Sequence, residues 1–344
     1  MTESVPAILA DPDWLPHTFD RSGALLDFVR LSAADRDSLA FLAEEYVGKD
    51  FAHQVLGYDK VRAATPAADA APVHFIFHTS FCCSTLLARA LAAGGGARVL
   101  REPDILMNLA QRLLRQPGPA NIERLEVVLR LLSRPVPAGG TAVIVKPSNF
   151  ANNLIGPMLK ARPAARAVLI HSDLDAFLRA IAKKGMWGRI WVRKLFLQLG
   201  AWTDLDFGFG ETERFVLSDL QAAGLCWLMQ ARHFRRLAEH HGPERLVLVH
   251  SDDLIARPEA VLERASALFA LGWTEAQVRR AAGEDIFNRH SKSAERFGAD
   301  RRAQEHERTL AAHGEEMAMV RQWVEAVAAR FDTPLALTDL DAAV

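Results

Sequence analysis

From residue 73 onward the chain alternates short apolar runs with longer stretches of helical periodicity. The runs at 73–77, 142–145, 167–170 and 246–249 are dominated by Val, Ile, Leu, Ala and Phe, and 97–100 is a weaker fifth. Runs this continuous are buried on both faces, and strands separated by helices pair in parallel. Helical patterns occupy 84–93, 121–132, 150–161, 174–184, 187–199, 218–241, 258–270 and 314–331. Ser218 and Asp219 start the longest of these plausibly, and Gly242-Pro243 stops it. The pattern predicts an α/β protein with a central parallel sheet and a helix-rich C-terminal half. Residues 1–70 read as an N-terminal helical extension and linker, with a helical pattern over 32–47 capped by Ser32 and linker composition over 63–72. Residues 71–344 read as the main domain. There is no internal repeat.

Composition narrows the partners. Half of the 344 residues are hydrophobic, enough for a large core. Lys and Arg total 41 against 42 Asp and Glu, so no global field points to nucleic acid or to an acidic membrane. Cys82, Cys83 and Cys226 form no CxxC pair, which speaks against a disulfide framework or a zinc site and for a reducing, cytoplasmic setting. The N-terminus lacks the marks of a signal peptide. No stretch reaches the ~20 apolar residues of a membrane span. Charge is uneven locally: residues 160–194 hold nine Lys and Arg against Asp173 and Asp175. That excess suits a small polyanion, or simply a solvated helix face.

The run at 73–77 leads through a short polar turn into Ser84-Thr85 and the helical pattern Leu86, Leu87, Ala90, Leu91. A buried strand, a tight loop and a helix N-terminus form an anion site, because the first helical N–H groups lack internal partners and the dipole end is positive. Against the nucleotide-kinase loop GxxxxGK[ST], Cys83 falls on the Lys, and Cys82 and Phe77 fall on the two glycines. Hydrolysis of ATP or GTP is therefore disfavoured.

Residues 80–87, SFCCSTLL, resemble instead the phosphosulfate loop P-[KR]-S-G-[ST]-T-x-L of sulfotransferases, which use the sulfate donor PAPS. Ser84, Thr85 and Leu87 match. Phe81 stands where that loop has a cation, and Cys83 replaces its glycine. The resemblance continues in order through Arg101-Glu102-Pro103, Val145-Lys146-Pro147, residues 163–185, and residues 242–273, where Asp253, Leu254, Pro258 and Leu262 fall in register. It covers roughly 73–290. It implies a three-layer P-loop fold, and transfer of a sulfuryl group from PAPS to a hydroxyl of a small molecule or peptide, leaving PAP. Carried over position by position, Thr79, Ser80, Cys82, Cys83, Ser84 and Thr85 cradle the 5′-phosphosulfate. His171 and Arg179 stand where the family holds the 3′-phosphate with an Arg and a Ser, so Arg179 restores a cation that His171 lacks. Glu102 is the candidate base, and Lys146 the cation for charge on the bridging oxygen. Arg101, Lys146 and Lys184 are candidates for the missing loop cation. No metal is implied.

Plainer readings accompany these. Glu102 before Pro103 also suits a helix start. Lys146 at a strand end also suits solvent, although strand C-termini of open α/β sheets are where ligands bind. Cys82 and Cys83 suit small buried hydrophobes, or a thiol of lowered pKa. His78 is either a base or a hydrogen-bonded core histidine. Asp252-Asp253 has the look of a metal pair, but the resemblance makes the equivalent acid a cap. Aromatic segments at 186–191 and 207–210 read as an acceptor wall, core packing or a lid. The basic segment 288–292 reads as a cofactor loop or a solvated turn. The competing functions are a degenerate relative that binds another nucleotide, an anion or a protein partner, and an atypical kinase. A homodimer is compatible with the apolar helices.

Overall fold

The computed structural model describes residues 4–134, 140–287, 299–333 and 335–337. The basic segment 288–292 lies outside them. Among the described residues there are eight strands, β1 (Trp14–Phe19), β2 (Leu25–Arg30), β3 (Ala52–Gly57), β4 (Val73–His78), β5 (Ala97–Arg101), β6 (Ala142–Lys146), β7 (Ala167–His171) and β8 (Leu246–His250). The first three form an antiparallel sheet in the order β1-β2-β3. The other five form a parallel sheet in the order β5-β6-β4-β7-β8. All five expected strands are present, and β4, β6 and β7 are buried at every position. That is what strands covered on both faces require.

The chain divides into two compact units. One comprises Met1–Phe77, Thr85–Ala167 and Leu262–Gly283, and the other His78–Ser84, Val168–Val261 and Glu284–Val344.

In the first unit, the residues expected to form a helical extension contain the antiparallel sheet as well. The helical pattern at 32–47 resolves into two short helices, Ala33–Ser38 and Glu44–Val47. Ser32 caps the former through a reciprocal bond with Asp35. The strands escaped the periodicity because β1 contains Pro16 and His17 and is buried on both faces, so it shows no polar–apolar alternation. An unexpected helix, Asp104–Arg115, begins just after Pro103 and buries Ile105, Leu106, Leu109 and Ala110. The pattern expected to give one helix at 150–161 begins as a 3-10 turn, Asn149–Leu154, before the helix Ile155–Ala161.

Arginines fasten the N-terminal segment to this unit. The buried Arg134 guanidinium donates to the carbonyls of Ile8 at 2.9 Å, Leu9 at 3.2 Å, Asp11 at 3.3 Å, and Trp14. Arg98 donates to Pro12 at 2.7 Å, and Arg101 to Arg36, Asp37 and Leu39. Burial pushes Arg134 down to about 10, which still leaves it charged at neutral pH. Irregular backbone carries carbonyls that no sheet or helix satisfies, and the fork of a guanidinium reaches several at once.

In the second unit, the helix Asp219–His241 runs from a Ser218–Gln221 capping box to Gly242, which has φ 72°. Gly224 on this helix lies against Val324 of the helix Ala299–Arg330, where a Cβ would collide. Among the described residues no helix is long and apolar enough to cross a membrane.

Replacing Arg134 with Met strands several buried carbonyls at once. We expect a loss of about 3 kcal/mol or more, read as a lowered urea midpoint.

Candidate functional site

Every strand of the parallel sheet ends on a basic residue: His78, Arg101, Lys146, His171 and His250. Ligands of open α/β sheets bind beyond the carboxyl ends of the strands.

Two of the expected site residues meet in the first unit. The Lys146 ammonium, fully buried at the end of β6, pairs with the Glu102 carboxylate. Backbone geometry makes the meeting possible. β5 pairs with β6 as far as Arg101 and Lys146, and the Glu102 N–H then donates to the Lys146 carbonyl at 2.6 Å. Glu102 turns into the left-handed region at φ 51°, a conformation that strains a residue with a Cβ. Only the carboxylate side of the pair is accessible, with the Glu102 side chain 18% exposed against 0% for Lys146.

The N-terminal segment completes this surround. The Phe41 ring lies 5.3 Å from the Lys146 ammonium, in cation–π range. The Leu42 N–H donates to the Arg101 carbonyl at 2.7 Å, and the Asp104 N–H donates to the Leu42 carbonyl at 3.2 Å, so Leu42 brackets Glu102 on both sides. Arg101 is committed to the carbonyls of 36–39, which makes it a clamp for this segment. Phe41 and Leu42 carried no motif; their role depends on contacts between distant parts of the chain, from Leu42 to Arg101 and from Phe41 to Lys146.

The second unit holds the turn. The Thr79 N–H donates to the Ile170 carbonyl at 3.3 Å, and the Cys82 thiol to the same carbonyl at 3.3 Å. The Ser80 N–H donates to Nδ1 of His78 at 3.1 Å, which places the ring proton of a neutral His78 on Nε2. His78 is thus a buried, hydrogen-bonded histidine that shapes the turn. Ser80, Phe81 and Cys83 have φ of 73°, 53° and 60°, all left-handed and none glycine. Three left-handed residues within four positions make this a strained turn. Such strain costs on the order of 1–3 kcal/mol per residue and clusters at functional sites. Ser84 and Thr85, both buried, open the helix Ser84–Gly94.

Two further features mark the surroundings of the turn. Oγ1 of Thr79 and Oγ of Ser172 are buried with no hydrogen-bond partner among the described residues. They directly follow the ends of β4 and β7, and buried hydroxyls normally find a partner. The Phe81 ring does not stand alone at its position. It packs 5.1 Å from Trp191 and 5.9 Å from Phe177, and the Lys184 ammonium lies 5.6 Å from its centre.

His171, at the end of β7, is pushed down to about 4, chiefly by burial and then by neighbouring His250, whose ring lies 5.1 Å away. It is neutral near pH 7 and acts there as a neutral donor or acceptor. Arg179 is half-buried on the helix Leu174–Lys183 and has no hydrogen-bond or ionic partner among the described residues. In the segment 251–256, Asp253 pairs with Arg257 at 2.5 Å, and the Asp252 N–H donates to Nδ1 of His250 at 3.2 Å. Ligand atoms of Asp173, His250 and Asp252 lie within 4.8 Å of one another. Asp173 and His250 both cap helix N-termini, where the dipole opposes a cation.

No family model matches the chain, and no curated protein matches it. Solved structures do resemble it. The sulfotransferase domain from the curacin biosynthetic pathway is 12% identical over 72% of this chain and 99% of that one, with a TM-score of 0.40. The sulfotransferase domain from the Synechococcus PCC 7002 olefin synthase is 16% identical over 65% and 82%, with a TM-score of 0.37. Retinol dehydratase in complex with androsterone and the inactive cofactor PAP is 12% identical over 78% and 84%, with a TM-score of 0.36. At such identities and scores the likeness concerns backbone architecture, and no residue role rests on it.

Removing one partner of the buried pair, as in Lys146→Met or Glu102→Gln, leaves the charge of the other uncompensated. Each should cost roughly 3–5 kcal/mol, whereas the double replacement Glu102→Leu with Lys146→Met should recover most of that loss in the urea midpoint.

Acid should destabilise the fold in a defined window. Burial pushes His74, His171 and His233 each to about 4. The unfolded chain takes up their protons near pH 6.5 while the folded chain does not. Their stability is present above that pH and is lost as the pH falls toward 4, by roughly 3 kcal/mol per histidine. Urea midpoints measured across this range should fall less steeply for His171→Gln than for the parent.

Proposed function

We propose that this chain binds PAPS and transfers its sulfuryl group to a hydroxyl of a small molecule or peptide. The observation that carries the reading is the left-handed turn at Ser80, Phe81 and Cys83, opening directly into a helix N-terminus. The sequence motifs that follow it in order, and the five basic strand ends, support the same reading. The orphaned Thr79 and Ser172 hydroxyls fit a ligand rich in acceptor oxygens.

PAPS supplies an activated sulfuryl group when bound. In this reading the turn N–H groups, with Thr79, Ser84 and Thr85, hold its phosphosulfate end. Arg179 takes the 3′-phosphate as a bidentate donor, and neutral His171 takes a hydrogen-bonding role beside it. The Glu102 carboxylate accepts the proton of the acceptor hydroxyl, since it is the accessible member of its pair. The Lys146 ammonium holds negative charge in a dry setting, where that interaction is strong.

A second reading is favoured by Phe81 and neutral His171: a relative that retains the anion turn for another nucleotide, an anion or a partner without transfer.

PAP at about 100 times its Kd should add about 2.7 kcal/mol of stability and raise the melting temperature. It should also slow alkylation of the partly exposed Cys83 by iodoacetamide. Stabilisation by sulfate or ATP but not by PAP would select the second reading. Transfer of labelled sulfate from PAPS to a panel of phenols, alcohols and peptides should be lost in Glu102→Gln.

A further inference from the structure

The antiparallel sheet of the first unit carries a histidine whose partners demand a charge. His53 lies on β3, beside Asp27 of the neighbouring β2 and the end of the helix Glu44–Val47. Its Nδ1 lies 2.7 Å from the Asp27 carboxylate, and its Nε2 lies 2.9 Å from the Gly48 carbonyl. A carboxylate and a carbonyl both accept hydrogen bonds. A neutral imidazole has one N–H and serves one of them, whereas the imidazolium serves both. Burial opposes that charge, but the bonds to Asp27 and Gly48 and the nearby charges of Asp27 and Glu44 outweigh it, so the pKa of His53 is raised. His17 of β1 faces the same ring edge-on at 5.6 Å, and its own Nε2 lies 2.6 Å from the Glu44 carboxylate.

We propose that protonated His53 is a pH-sensitive latch, which holds the segment 41–48 closed over the Glu102–Lys146 pair and releases it as the pH rises. The segment is fastened at both ends and in the middle. Leu42 is bonded to Arg101 and Asp104, Glu44 to His17, and Gly48 to His53. The Phe41 ring, which lies over the Lys146 ammonium, also packs 5.3 Å from Tyr46 on the helix Glu44–Val47. A shift in how that helix is seated is therefore passed to the cover. Loss of one proton leaves the His53 ring a single N–H. The carboxylate makes the stronger bond and keeps it, so the Gly48 carbonyl is the partner released. The direction follows from the raised pKa. The contribution of the latch is complete below the ordinary histidine value of 6.5 and is lost as the pH rises through the folded value. This is opposite in sign to the buried neutral histidines, which destabilise in acid. The latch involves no ligand of the turn at Ser80, Phe81 and Cys83, so it stands or falls apart from the donor reading.

The full chain tests this without any ligand. The His53 ring is titrated by NMR, its signal assigned by its loss in His53→Gln. Hydrogen exchange of the Leu42 and Asp104 amides, the two that bracket Glu102, is followed over the same pH range and corrected for the intrinsic pH dependence of exchange. We expect His53 to titrate above 6.5, and exchange at both amides to quicken roughly threefold or more as it loses its proton. His53→Gln should exchange at the alkaline rate of the parent at every pH. Asp27→Asn keeps the ring and removes the carboxylate, so it should move the titration and the exchange curve to lower pH together. Titration of His53 at or below 6.5 overturns the latch. So does exchange that fails to follow that titration in the parent or in Asp27→Asn, or a pH dependence that survives in His53→Gln.

Discussion

A fully buried ammonium has to find a carboxylate, and much of the first unit is arranged to supply one. Moving Lys146 out of water carries a penalty of several kcal/mol that only close pairing offsets. β5 therefore ends one residue short of Glu102, and the chain turns left-handed there to deliver the acid. That turn leaves carbonyls and N–H groups to be met from elsewhere, and Leu42 meets those on either side. Leu42 in turn needs the irregular segment before it held in place, which is what the Arg101 guanidinium does. One buried charge thus propagates into a strained residue, a strap and a clamp.

The second unit concentrates its backbone strain in the turn at Ser80, Phe81 and Cys83. None of the three is the glycine that would adopt this conformation without strain. Each side chain has a task. His78 orders the Ser80 N–H, Cys82 fastens the turn to Ile170, and Phe81 joins the aromatic cluster that carries Lys184. The histidine rings at the ends of β7 and β8 lie 5.1 Å apart, and burial keeps that of His171 neutral near pH 7.

The parallel sheet was legible because four of its strands are runs dominated by apolar residues, whereas β5, which carries Arg98 and Arg101, gave the weakest signal. The helix Asp219–His241 was legible because it is flanked by the capping residue Ser218 and the positive-φ Gly242, both local signals. The antiparallel sheet was not, since β1 is buried on both faces and interrupted by Pro16 and His17. The helix Asp104–Arg115 lay hidden behind Pro103, which reads as a break although proline can serve as the residue before a helix.

Candidate chemistry divides along the same line. The chain alone named Glu102, Lys146 and the turn, because strand ends and strand-to-helix turns are local features with characteristic residues. Whether Glu102 and Lys146 touch depends on the register between β5 and β6, and no periodicity encodes register across forty intervening residues. Which cations are committed to carbonyls and carboxylates, as Arg101 and Lys146 are, was decided only when distant segments packed together. A charge in a sequence is a possibility, and its electrostatic role is settled by the partners and the solvent that the tertiary fold leaves around it.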